Sequence, residues 1–309
     1  MEIVILIIAG LGLLFIGGEL LVRGSSSLAL SLGLTPLVVG LTVVAFGTSS
    51  PELVVSIQAA IKGNSAISIG NVVGSNIANI ALILGLSAVI RPVSVQASAI
   101  YREIPFMIFV SIIFSLLVFF KHIAFVAGLS FILLLALYVV VSLHISKKSH
   151  PDELGDPVKN KYSTIISIVF VILGLLGLIY GSDLFINGSV KLARILGVSE
   201  FIIGLTIVAV GTSLPELVTS IVASIRKESD ILLGNIVGSN IFNILAIIGI
   251  AALITSMNLN EVNIVDLLVM IFFSVVVLPM SLFNKIISRM EGIFLLIGYV
   301  VYLVYLTNT

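Results

Sequence analysis

The chain has 309 residues, of which 59% are hydrophobic and only 10% charged, with 15 basic against 15 acidic side chains and a mean hydropathy of +1.30. A soluble domain carries about 25% charged residues, so this is a polytopic membrane protein, and its zero net charge points to no nucleic-acid partner. The absence of cysteine excludes a disulfide framework and a thiolate metal site.

The apolar runs are continuous and about 20 residues long, which is the pattern of membrane helices and not of alternating barrel strands. The N-terminal MEIVILIIAG lacks the basic start of a signal peptide and reads as a retained first helix. Ten helices are expected, over residues 3–22, 36–61, 67–90, 103–121, 123–144, 163–186, 200–225, 231–254, 264–283 and 289–307. The polar stretch HISKKSHPDELGDPVKNKYS separates them into a first five-helix repeat, 1–144, a linker, 145–162, and a second five-helix repeat, 163–309.

The second expected helix contains GLTVVAFGTSSPELVVS (40–56), and the seventh contains GLTIVAVGTSLPELVTS (204–220), identical at 13 of 17 positions. In the third, GNVVGSNIANI (70–80) returns in the eighth as GNIVGSNIFNI (234–244), identical at nine of eleven. Both pairs share one offset of 164 residues, and the register holds without a gap from residue 18 to 138. Duplication explains this. Five helices per repeat is odd, so the second copy enters the membrane inverted. With the N-terminus outside, the inner loops hold 11 Lys and Arg and the outer loops 4. This split favours extracellular termini and a cytoplasmic linker.

Glu52 and Glu216 each sit inside an apolar run, with no Lys or Arg within nine residues. An ionised carboxylate there costs several kcal/mol unless paired, and an intramembrane acid is a functional candidate by default. Pro51 and Pro215 precede the glutamates, so the carbonyls of Gly47 and Gly211 are expected to lose their helical partners. Carbonyls freed around Ala45–Thr48 and Ala209–Thr212 would be hard oxygen donors. Thr48, Ser49, Thr212 and Ser213 add hydroxyls, which equally suit back-bonding within a helix. Ser75 and Asn79 share one helix face, as do Ser239 and Asn243, and interhelical packing is their simpler role. Gly70, Gly74, Gly234 and Gly238 read as close-approach faces, and Asn71, Asn76, Asn235 and Asn240 as supporting or capping residues. Glu19 and Asp183 read as interfacial, and the three histidines as solvated. An all-oxygen set suits Na⁺ or Ca²⁺ and argues against zinc or copper.

These motifs resemble those of the cation/calcium exchanger superfamily, which includes the sodium/calcium exchangers. Its paired signature appears as AFGTSSPE and AVGTSLPE, each followed by G-N-x-V-G-S-N-I. The resemblance covers essentially the whole chain. It implies an all-α protein of ten transmembrane helices in two inverted repeats, working by alternating access in the cell membrane. Its transported ions would be Na⁺ and Ca²⁺, with the lipid bilayer as its surroundings and no cofactor, enzymatic activity or obligatory protein partner. By motif position, Glu52 and Glu216 would bind Ca²⁺ and share in binding Na⁺. Backbone carbonyls of Ala45, Thr48, Ala209 and Thr212 would coordinate ions. The side chains of Thr48, Ser49, Ser75, Thr212, Ser213 and Ser239 would complete the Na⁺ sites, and Asn79 and Asn243 would line the centre. The first and sixth helices resemble the family's sliding gate.

Position 243 departs from members that carry aspartate there, which argues against K⁺ co-transport. The linker is too short for the regulatory calcium-binding domains of animal exchangers, so a prokaryotic-type protein is expected. Ca²⁺/H⁺ antiport through the same glutamates is the alternative, although duplicated Thr-Ser donors favour Na⁺. A cation channel fits an internal inverted repeat less well, and no hydrolase or protease motif is present.

Overall fold

The computed structural model describes residues 2–120, 122–148, 162–197, 209–255, 257–258 and 262–308. Its helices in chain order are α1 (Glu2–Leu32), α2 (Pro36–Thr48), α3 (Ser50–Ile61), α4 (Ser65–Ile90), α5 (Ala99–Phe119), α6 (Phe125–Lys148), α7 (Thr164–Ile195), α8 (Ala209–Thr212), α9 (Leu214–Arg226), α10 (Ser229–Ile254), α11 (Ile264–Leu282) and α12 (Arg289–Asn308). Four two-residue strands lie between them: β1 (Val93–Ser94), β2 (His122–Ile123), β3 (Met257–Asn258) and β4 (Ile286–Ile287).

Among the described residues, eight helices are long and apolar enough to cross a membrane. They become nine if α2 and α3, bent by 49°, form one span. The expected helix over 200–225 begins outside the described residues, and only its portions α8 and α9 are seen.

Several boundaries differ from expectation. The first helix runs to Leu32 rather than 22, and the sixth to Ile195 rather than 186. The Gly-Ser run after Arg23 continues the first helix: Ser25 and Ser27 are buried, and the Ser167 hydroxyl donates to Ser27 Oγ at 2.9 Å. A small polar residue facing another helix continues a membrane helix. The fifth helix continues to Lys148, so residues 145–148 belong to α6 and not to the linker. Ser146 docks there by accepting the Thr35 N–H at 2.8 Å. Residues 149–161 of the linker lie outside the described residues.

Helices α1 and α7 have 31 and 32 residues, or about 46–48 Å at 1.5 Å per residue. That exceeds a hydrocarbon core of about 30 Å and calls for tilt. They run antiparallel, backbone to backbone. A Cβ on Gly10 would lie 2.9 Å from the Gly181 carbonyl, and one on Gly17 2.9 Å from the Gly174 carbonyl. A Cβ on Gly24 would lie 2.9 Å from the Ser167 carbonyl. Gly10, Gly17 and Gly24 recur every seven residues, as do Gly174, Gly181 and Gly188. Small residues at this spacing let membrane helices approach closely.

The remaining helices pack on α4 and α10, whose most apolar windows are 72% and 89% buried. Their polar side chains, among them Ser75, Asn76 and Asn79 of α4 and Ser239, Asn240 and Asn243 of α10, are buried in the middle, where polar residues of membrane helices find partners. α12 packs on α4 through Gly85 and Gly292, and α6 packs on α10 through Gly128 and Gly249. The strands pair antiparallel as β1 with β4 (Val93 opposite Ile287) and β2 with β3 (Ile123 opposite Met257). Adding the 164-residue offset to one partner of each contact and subtracting it from the other yields the second contact.

A candidate cation site between two broken helices

Both breaks fall on serine. Ser49 (φ −80°, ψ 6°) separates α2 from α3, and Ser213 (φ −89°, ψ 9°) separates α8 from α9. Pro51 and Pro215 stand in the first turn of the outgoing helix, where a missing N–H costs nothing. The carbonyls expected to be free are capped instead. Gly47 O accepts the Ser50 hydroxyl at 2.7 Å, and Gly211 O accepts the Ser182 hydroxyl at 2.8 Å. Ala45 O accepts the Ser49 N–H at 3.0 Å and the Thr48 hydroxyl at 3.4 Å. Hydroxyls beside a proline break re-satisfy the backbone, as membrane helices require. A donor role for these carbonyls therefore needs rearrangement at the break.

The two breaks bring the glutamates together by exchange. Ser49 Oγ donates to Glu216 Oε1 at 2.8 Å, and Ser213 Oγ donates to Glu52 Oε1 at 3.0 Å. Each acid is held by the serine of the other repeat motif. Glu52 and Glu216 are both 1% exposed. Ser213 Oγ also lies 3.5 Å from Ser75 Oγ, which places the third expected helix at the same point.

The asparagines form the surround. Asn71 Nδ2 donates to the Glu52 backbone carbonyl and to Ser56 Oγ. Asn235 Nδ2 does the same to the Glu216 carbonyl and Ser220 Oγ. Thr48 Oγ1 donates to Asn235 Oδ1 at 3.0 Å. Across the centre, Asn79 Nδ2 donates to Asn240 Oδ1 at 2.9 Å and Asn243 Nδ2 to Asn76 Oδ1 at 3.1 Å. Asn240 and Asn76, expected as supporting or capping residues, are thus the partners of Asn79 and Asn243. Their fixed offset from Asn79 and Asn243 was the available signal. A π-helical turn begins beside each inward amide, at Ala78–Leu84 and Asn243–Ile248. Such bulges widen a helix and recur at functional sites.

Of the ten buried side-chain oxygens without a hydrogen-bond partner among the described residues, four are the carboxylate and amide oxygens of this site: Glu52 Oε2, Glu216 Oε2, Asn79 Oδ1 and Asn243 Oδ1. They are two pairs related by the repeat offset. Ser239 Oγ, fully buried, is likewise among the ten. An unmet buried acceptor costs about 1–3 kcal/mol, and more when charged. Among the described residues no cluster of three His, Cys, Asp or Glu exists, and no Lys or Arg pairs with either glutamate. The arrangement is two carboxylates with neutral amide and hydroxyl oxygens, the donor chemistry of a hard cation.

Of the close-approach glycines, Gly234 and Gly238 fit that role. A Cβ on either would lie within 2.5–2.6 Å of the Leu37 or Leu41 carbonyl. No described atom lies within 4 Å of a Cβ on Gly70 or Gly74, and the residues matching Leu37–Leu41 under the offset lie outside the described residues.

A family model described as "Sodium/calcium exchanger protein" matches residues 2–144 and again 166–308. The chain belongs to the sodium/calcium exchanger family. This exchanger is 37% identical to the putative antiporter CaxA of Alkalimonas amylolytica, over 96% of each chain. It is 33% identical to the sodium/calcium exchanger MaX1 of Methanosarcina acetivorans, also over 96% of each. Solved structures of the sodium-calcium exchanger NCX_Mj share its fold. The one soaked with 10 mM Na⁺ and zero Ca²⁺ superposes with a TM-score of 0.86 at 32% identity, covering 97% of both chains. The exchanger is of the prokaryotic kind within the cation/calcium exchanger superfamily, and its family consists of transporters rather than enzymes.

Proposed function

We propose that this exchanger moves Na⁺ and Ca²⁺ in opposite directions by alternating access, binding them in turn at the Glu52–Glu216 site. The observation that carries the reading is the set of four symmetric, buried, unpartnered oxygens. Two carboxylates close together in a low-dielectric interior repel, and one Ca²⁺ or several Na⁺ would neutralise them. Since both ions would draw on the same two charges, one species must leave for the other to bind, and that competition is what makes an antiporter.

Glu52, Glu216, Asn79 and Asn243 would supply the central oxygens, with hydroxyls from Thr48, Ser49, Ser75, Thr212, Ser213 and Ser239 completing the Na⁺ positions. The carbonyls of Thr48 and Thr212, and those of Ala45 and Ala209 once the break rearranges, would add to them. The chain would form ten transmembrane helices in two inverted repeats, 1–144 and 163–309, joined by a cytoplasmic linker. It would lie in the cell membrane with both termini outside. The reciprocal contacts and the antiparallel α1–α7 pair support the inversion.

The test is ⁴⁵Ca²⁺ uptake into proteoliposomes loaded with Na⁺ and diluted into Na⁺-free buffer. Uptake that requires internal Na⁺ is the expected result. Uptake driven by a pH gradient and indifferent to Na⁺ would make the protein a Ca²⁺/H⁺ antiporter. Asn243→Asp adds a third acid beside the two glutamates and should alter the dependence of flux on Na⁺ and K⁺. Unchanged monovalent-ion dependence would remove Asn243 from the site.

A further inference from the structure

The reciprocity that relates the strand pairs and the serine–glutamate bonds fails where α1 meets α9. α1 lies on α9: a Cβ on Gly18 would meet Val218 Cγ1 at 3.1 Å and Val222 Cγ2 at 3.2 Å, and Val222 is 3% exposed. Below this contact Arg226 grips Glu19 of α1, its Nε and Nη2 each engaging one carboxylate oxygen. Arg23 shares the same carboxylate at 2.5 Å, and Ser26 Oγ donates to Glu228 at 3.2 Å.

Under the 164-residue offset the matching face belongs to α3, with Val54, Gln58 and Lys62 in place of Val218, Val222 and Arg226. That face is bare. Val54 is 52% exposed, and Gln58 and Lys62 are exposed. The acid that matches Glu19 is Asp183 on α7, also exposed. Asp183 and Lys62 form no ion pair with each other or with any other described residue. Yet the charges are complementary, acid on the long helix and base at the end of the post-break helix, as in the engaged pair.

An inverted repeat reaches its second state when each copy adopts the other's arrangement, by rocking or sliding one unit against the rest. α1 and α7 are joined backbone to backbone, so they shift as one unit. Moving it to cover α3 uncovers α9. We propose that Glu19–Arg226 and Asp183–Lys62 are two mutually exclusive ion-pair latches at opposite ends of the α1–α7 unit, the first closed here and the second closing in the opposite-facing state. The proposal rests on the alternating-access reading above. The two latches are unequal. A bidentate Arg–carboxylate pair is stronger and more directional than a Lys–Asp pair, which biases the resting protein toward the arrangement seen.

Because the chain has no cysteine, paired thiols report each latch directly. Glu19→Cys/Arg226→Cys and Lys62→Cys/Asp183→Cys are reconstituted and treated with a short bis-maleimide, with and without Na⁺ or Ca²⁺. Each pair should cross-link, each cross-link should stop flux, and a four-cysteine variant should carry one cross-link or the other, never both. A Lys62–Asp183 pair that stays uncross-linked under every ion condition, or molecules carrying both cross-links, would overturn the proposal. Exclusive cross-links in a protein without Na⁺-dependent Ca²⁺ flux would overturn the ion assignment and leave the latches standing. Asp183→Asn should slow exchange about two- to fivefold, the range for a partly exposed pair. The reversed pair Lys62→Asp/Asp183→Lys should restore it; no recovery in a folded reversed protein would also count against the latch.

Discussion

Glu52→Gln and Glu216→Gln should each abolish Na⁺-dependent Ca²⁺ uptake while leaving the protein folded. Glutamine keeps the shape and still offers one oxygen to the serine hydroxyl that Glu52 or Glu216 now accepts, 3.0 and 2.8 Å away. What it removes is one of two negative charges in a site that, among the described residues, no Lys or Arg neutralises. Removing one partner of a buried charge pair costs about 3–5 kcal/mol, or roughly 10²–10⁴-fold in ion affinity. The same change relieves repulsion between neighbouring carboxylates, so the ion-free protein should be no less stable than the original. Thermal unfolding separates the two effects. Ca²⁺ should raise the midpoint of the unmodified protein and leave that of each variant unmoved, since a ligand stabilises only the state it binds. A variant that transports at the original rate would remove that glutamate from the site.

Gly174→Leu should prevent α1 and α7 from packing and leave little monodisperse protein in detergent. The first added carbon would lie 2.6 Å from the Leu21 amide nitrogen and 2.8 Å from its Cα. These are backbone atoms, which have no rotamer to yield. Ordinary overpacking in a core costs about 1–3 kcal/mol, and here the obstruction is the backbone of the facing long helix at Leu21. Gly12→Leu is the control. It lies on α1, the partner helix, two residues from Gly10, and no described atom stands within 4 Å of its Cβ position. It should express and migrate as the original does. Equal yields of the two variants would show that the glycine contact does not hold the pair together.

The glycine seam shows where the sequence was legible and where it was not. Gly10, Gly17 and Gly24 repeat every seven residues and match Gly174, Gly181 and Gly188 at the common offset. Read as a packing pattern, they place α1 against α7 before any coordinates. The expected bound at 22 stopped the first helix ten residues short of Leu32, because hydropathy scores a buried serine as if it faced water. The two glutamates, their breaks and the Ser75 and Ser239 helices were legible, since a proline and an acid inside an apolar run have few structural uses. The capping of Gly47 and Gly211 by Ser50 and Ser182 was not. Ser182 lies 29 residues from its acceptor, and no local pattern announces a hydroxyl delivered by another helix. The crossing of the serine–glutamate bonds was equally hidden. Each motif looks self-sufficient in sequence, while Ser49 serves Glu216 and Ser213 serves Glu52.

The reciprocal strand pairs carry a consequence for assembly. β1 of the first half is completed by β4 of the second, and β3 of the second by β2 of the first. α6 and α12 likewise lie on the inner helices of the opposite half. Neither half encloses its own interior, and the surface each offers is the surface the other needs. That is the geometry of a two-fold homodimer, with the two halves joined in one chain. A chain severed within 149–161 has what it requires to reassemble from two co-expressed pieces. A single half-length ancestor, threaded into the bilayer in both directions, would have had the same complementarity with itself.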